Sequence, residues 1–179
     1  PFFSAISRRV NKSPSRGLPT AGVTVDKDTL QFKMLYNPDF FKDMEENKIK
    51  GVLMHEFYHI IFEHVTGRKP AEGIKRIDNI AMDLSINGLP EMINKLPNAA
   101  NPGPMMPSGE PMQAVIPGEA MFADLPTGQT YEWYLEALKK KQEEQEGGQG
   151  EGQPGEGQPG QGQPGDGDPF GGADSFDSH

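Results

Sequence analysis

The sequence has no cysteine, which excludes disulfides, thiolate metal sites and a cysteine nucleophile. Any metal must therefore be held by histidine and carboxylate. There is no apolar run of about 18 residues, so no transmembrane helix and no membrane partner are expected. The start, Pro1-Phe2-Phe3-Ser4, lacks the basic-then-apolar order of a secretory signal. Together with the missing thiols this points to a cytoplasmic, reducing setting. Positive charge is also in deficit, with 17 Lys+Arg against 26 Asp+Glu and a formal net charge of −9. That deficit is local. Residues 142–179 hold nine acids and no Lys or Arg, which leaves 17 acids against 17 bases in residues 1–141. A neutral domain offers no basic face, so nucleic acid is not an expected partner.

What is present divides in the same place. The C-terminal stretch carries 12 of the 22 glycines and repeats Gly-Gln-Pro-Gly with almost no apolar residue before Phe170. Such a segment cannot offset the entropy of ordering. The expected organisation is one domain over 1–141 and a disordered acidic Gly/Gln/Pro-rich linker or tail over 142–179. The tail would serve as a tether to a partner domain.

Within the domain, Pro1–Val10 reads as the end of a helix and Asn11–Pro19, rich in Ser, Pro and Gly, as a loop. Gly22–Val25 and Leu30–Tyr36 read as a β-hairpin around the turn Asp26–Thr29. Asn37-Pro38-Asp39 is a helix start, with an Asn cap, Pro at the first position and an acid in the first turn, for a short helix to about Glu45. A central helix is expected from Asn47 to Thr66, with Ile49, Val52, Leu53, Phe57, Ile60, Ile61 and Val65 as its apolar stripe and Gly67 as its cap. A second runs from Ile74 to Asn87, closed by Gly88 and Pro90. Pro97–Pro126, rich in Pro and Met, reads as irregular chain over the surface. Thr127 or Thr130 opens a last helix from Tyr131 to about Gln145, with Trp133, Tyr134, Leu135 and Leu138 on its apolar side.

The chemistry sits on the central helix. His55-Glu56-Phe57-Tyr58-His59 is H-E-x-x-H. Two histidines four residues apart differ by about 40° round the axis and one turn along it, so both imidazoles can meet one ion. Glu56, about 100° round, lies beside that ion and can take a proton from water. Zinc accepts His and carboxylate ligands and leaves an open position for that water. Two His and a Glu inside an apolar stripe would be costly without such a partner.

A third ligand is required. His64 is the nearest candidate, but in a continuous helix it lies about 180° from His55 and about 140° from His59. It turns in only if the helix breaks first, and Ile60–Glu63 contains neither Gly nor Pro. Asp83 is the better candidate, with His64 as the alternative. Asn79, Asp83 and Asn87 form a polar stripe at four-residue spacing beside the apolar Ile80, Ala81 and Leu84, as suits a ligand whose neighbours hydrogen-bond to the ligand shell.

His55-Glu-x-x-His59, His64, Arg68 and Asn79-Ile-Ala-x-Asp83-x-x-Ile-Asn87 together resemble the metallopeptidase domain that commonly precedes a von Willebrand factor A-like domain in bacterial and phage proteins. The resemblance extends back to Pro1-Phe2-Phe3, Pro19-Thr20-Ala21 and Tyr36-Asn37-Pro38-Asp39-Phe40, and forward to Leu96-Pro97 and Gln129-Thr130-Tyr131-Glu132-Trp133-Tyr134. It implies a zincin-like α+β fold, mainly helical with a small N-terminal β-hairpin or sheet. It also implies zinc at His55, His59 and Asp83, with Glu56 catalytic. The expected function is a zinc-dependent peptidase acting on protein or peptide. The alternative is a metal-stabilised, non-catalytic binding or adaptor module tethered to a von Willebrand factor A-like or ATPase partner.

Overall fold

The computed structural model describes the backbone of residues 2–147 and side chains through Gln145. Five α-helices and a three-stranded sheet form an α+β domain in the order α1(Phe2–Arg9), β1(Asn11–Pro14), β2(Ala21–Val25), β3(Phe32–Tyr36), α2(Pro38–Phe41), α3(Glu46–Ile61), α4(Arg76–Asn87) and α5(Tyr131–Gly147).

The expected hairpin forms. β2 and β3 pair antiparallel from Ala21↔Tyr36 to Val25↔Phe32. The turn is held by Asp26, whose carboxylate accepts from the backbone of Asp28 and Thr29 and from the Thr29 hydroxyl. The expected loop after α1 is partly a strand. β1 pairs parallel with β3 from Asn11↔Lys33 to Pro14↔Tyr36, so β3 is central and β1 and β2 are the edges. β1 has no apolar alternation, because a largely exposed edge strand needs only backbone pairing to its neighbour.

Asn37 caps α2 as expected, its Oδ1 accepting from the Asp39 N–H at 3.0 Å. The helix is shorter than expected and ends at Phe41. α3 lies against the sheet and α1, sharing a core of Val10, Val23, Met34, Phe57 and Val65. On its other side Gly51 comes so close to the chain at Lys95 that a Cβ there would sit 1.9 Å from the Lys95 carbonyl oxygen. Lys48 fastens the same contact, donating from Nζ to the carbonyls of Asn94 and Leu96.

α4 is the innermost element, buried from Asp78 to Asn87. It begins at Arg76, two residues later than expected, where Asp78 Oδ2 accepts from the Lys75 N–H at 2.9 Å. One face packs on α5 through Ile80, Ala81, Leu84, Tyr131, Tyr134 and Leu138; another faces α3. Thr130 opens α5, its hydroxyl accepting from the Trp133 N–H. The buried positions of α5 are Tyr131, Tyr134 and Leu138, while Trp133 is among the exposed large side chains. The 97–126 segment is irregular apart from an antiparallel bridge between Met105 and Pro111 and a short 3₁₀ turn at Ala120–Phe122, yet it buries Met112, Val115, Phe122 and Leu125.

α5 continues past the expected domain end at 141 to Gly147; the remainder of the expected linker or tail lies outside the described residues. Among the described residues, no helix is long and apolar enough to cross a membrane.

Candidate metal centre

α3 and α4 lie side by side and present His55, His59 and Asp83 to one point. His59 Nε2 is 3.0 Å from His55 Nε2 and 3.3 Å from Asp83 Oδ1. His55 Nε2 is 3.5 Å from the same oxygen. Among the described residues these three form a group able to hold a metal ion. All three are fully buried, as are Glu56 and His64.

The hydrogen bonding of His55 at Nδ1 follows from its neighbours. The Val115 carbonyl can only accept, so the Asn87 nitrogen that lies 2.7 Å from it must be the donor. Asn87 Oδ1 then faces His55 Nδ1 at 2.7 Å and must be offered a proton. In the neutral imidazole that leaves Nε2 with a bare lone pair, aimed at His59 and Asp83. Two imidazoles and a carboxylate converging in a dry interior repel unless a cation or proton lies among them.

α3 is shorter than the expected Asn47–Thr66 helix. The helix does not run to Thr66 but ends at Ile61, without Gly or Pro. Glu63 takes a left-handed φ of +61°. The His64 N–H reaches back to the His59 carbonyl at 2.9 Å and the Glu63 N–H to the Ile60 carbonyl at 3.1 Å. These two bonds are the Schellman closure, built here on a glutamate instead of the usual glycine. The chain therefore turns inward directly after the helix and carries His64 under His59, with Nδ1 3.1 Å from His59 Nδ1. His64 thus meets the edge of His59 away from Asp83. Burial pushes its pKa down to about 2.

The outer wall of the centre is polar and tied to the helices. Tyr131 lies at a 58° tilt to His64, with ring centroids 5.7 Å apart, and donates to Asp78 Oδ1 at 3.0 Å. Burial, then the bond to Asp78, raises its pKa to about 12. Arg68 pairs with Glu132 at 3.2 Å, joining the turn after α3 to α5. Asn79, expected near the ligands, is buried one turn before Asp83 on α4. The contribution of the Val115 carbonyl had no sequence signal, because any residue supplies a backbone oxygen.

The family model described as "Putative metallopeptidase domain" matches residues 1–179. No curated protein and no solved structure matches the chain.

Proposed function

Because the chain belongs to this family of metallopeptidase domains, we propose that it is a zinc-dependent peptidase. The observation that carries the reading is the convergence of His55 Nε2, His59 Nε2 and Asp83 Oδ1 with Glu56 buried on the same helix. A tetrahedral zinc with bonds of about 2.0–2.1 Å separates its ligands by about 3.3 Å, and the observed edges of 3.0, 3.3 and 3.5 Å bracket that value.

His55, His59 and Asp83 would hold the ion, and Asn87 would keep His55 in the binding tautomer. Zinc there supplies Lewis acidity toward the scissile carbonyl and lowers the pKa of water to about 7. Glu56 takes the proton from the attacking water and delivers it to the leaving amine. β2, which packs against α3, is a sheet edge among the described residues, and an extended peptide can add to such an edge. Since the centre is fully buried, turnover requires the surrounding chain to open.

That same burial favours a second reading, in which the ion braces a non-catalytic module that recruits a partner through residues 142–179. Glu56→Gln separates the two. The variant is expected to keep one zinc and lose about 10²–10⁴-fold in peptide hydrolysis. Equal hydrolysis by a zinc-loaded Gln variant would refute the peptidase mechanism, and no hydrolysis by either protein would favour the brace.

A further inference from the structure

The two histidines of the H-E-x-x-H motif are both engaged at Nδ1. His55 is held by Asn87 Oδ1 at 2.7 Å. His59 is held by His64 Nδ1 at 3.1 Å. We propose that His64 is a positioning residue for the ligand His59: its Nδ1 accepts the Nδ1–H of His59 and so turns the bare Nε2 of His59 to the ion. The proposal rests on the metal reading above and assigns His64 a role different from that of a third ligand.

Three features carry it. The two ring nitrogens of an imidazole point to opposite sides, so a group that meets His59 at Nδ1 lies away from the ion held at Nε2. Asp83 already offers a third ligand atom beside the two histidines. Finally, the placement of His64 is specific. The closure at Glu63 bonds the His64 N–H to the His59 carbonyl itself, so the backbone and the side chain of His64 both engage the residue they orient. Histidine ligands generally give their second nitrogen to an acceptor, which sets the tautomer and the ring direction.

The arrangement has a cost. His64 Nε2 is buried with no hydrogen-bond partner among the described residues, so all the side chain's hydrogen bonding within the described chain goes to His59. A phenylalanine in its place would fill much the same space beside Phe62 and Tyr131 without leaving a buried polar group unsatisfied. A purely structural role therefore predicts that His64→Phe is harmless or worse in every respect alike. A positioning role predicts a split.

The test measures zinc affinity by chelator competition, together with the melting temperature of the zinc-free protein, in wild type, His64→Phe, His64→Asn, His55→Ala and Asp83→Ala. His64→Phe is expected to melt at or above wild type without zinc, yet to bind zinc about 10–100-fold more weakly. His64→Asn, whose Oδ1 takes the position of Nδ1 as an acceptor, should recover most of that loss. X-ray absorption of the zinc-loaded proteins should count two imidazoles in wild type and in His64→Phe. Wild-type affinity in His64→Phe would overturn the proposal, and so would a loss as complete as in Asp83→Ala, which would make His64 a ligand. If His64→Phe does not fold, a weakly binding His64→Asn overturns it and a tightly binding one supports it. Wild type binding zinc no better than His55→Ala would overturn the metal reading and this proposal together; failure in the His64 variants alone leaves the metal reading standing.

Discussion

Truncation of Asn87 to alanine should damage stability and metal binding by separable amounts. Asn87 is buried and makes two bonds of 2.7 Å, accepting from His55 Nδ1 and donating to the Val115 carbonyl. Removing its side chain strands a buried donor and a buried acceptor. Each unmet group costs about 1–3 kcal/mol, so the zinc-free domain should lose about 2–6 kcal/mol. His55 also loses the acceptor that selects its tautomer, which weakens zinc binding about 10–100-fold, equivalent to about 1.4–2.7 kcal/mol. Urea unfolding with and without zinc reads the two terms, since the metal stabilises only the folded state. Asn87→Asp provides the control. Its carboxylate still accepts from His55 but sets an oxygen against the Val115 carbonyl. It should keep most of the zinc affinity while losing stability. Should Asn87→Ala unfold within about 0.5 kcal/mol of wild type, as surface substitutions do, and bind zinc equally well, the hydrogen-bond chain from Val115 to His55 would not hold the site.

Three further outcomes follow from single features of the fold. Glu63→Gly relieves a left-handed conformation costing about 1–2 kcal/mol, offset by about 0.5–1 kcal/mol of glycine entropy; thermal unfolding should show a small net gain, and a Glu63→Val variant a loss. Gly51→Ala places a Cβ 1.9 Å from the Lys95 carbonyl oxygen and should destabilise by at least about 1–3 kcal/mol; an unchanged melting temperature would mean that α3 and residue 95 do not make this approach. Tyr58 and Tyr131 are raised to about 12, each first by burial and then by its bond to Glu91 or Asp78. Unfolded phenols ionise near 10, so this contribution is complete below pH 10 and lost as pH rises toward 12. Ultraviolet titration should show late-ionising phenols, one of which disappears in Tyr131→Phe.

Much of the local structure was legible because its causes are local. The Asn37 side chain bonds two residues on, and the hairpin strands carry their own alternation and turn. The motif on α3 and the polar stripe on α4 could be read from helical spacing, which left Asp83 and His64 as candidates to meet the two histidines; the structure puts Asp83 Oδ1 3.5 and 3.3 Å from their Nε2 atoms. The misreadings share a different cause. β1 shows no pattern because its partner, β3, lies about twenty residues along the chain. Trp133 falls outside the buried face of α5 because α4 contacts Tyr131, Tyr134 and Leu138, a choice made by the neighbour. The early end of α3 was hidden because the closing position is a glutamate. The strain there is tolerated since it brings His64 beneath His59 and Val65 into the core shared with the sheet.

The sequence by itself limited the chemistry by which this site could hold a metal. With no thiols, a helix that sets His55, Glu56 and His59 within one turn can hold a metal only through imidazole and carboxylate, and helical periodicity dictates which faces meet. Tertiary structure decided everything that depends on contact between distant segments: the burial of the whole centre, the pairing of His55 with Asn87 and of Asn87 with the Val115 carbonyl, and the placing of His64 against the Nδ1 edge of His59. The physical reason is that side-chain direction along one helix follows from spacing. A hydrogen bond between elements depends on how closely two backbones approach, and that is set here by the bare Cα of Gly51 against Lys95 and by the burial of α4 on all sides.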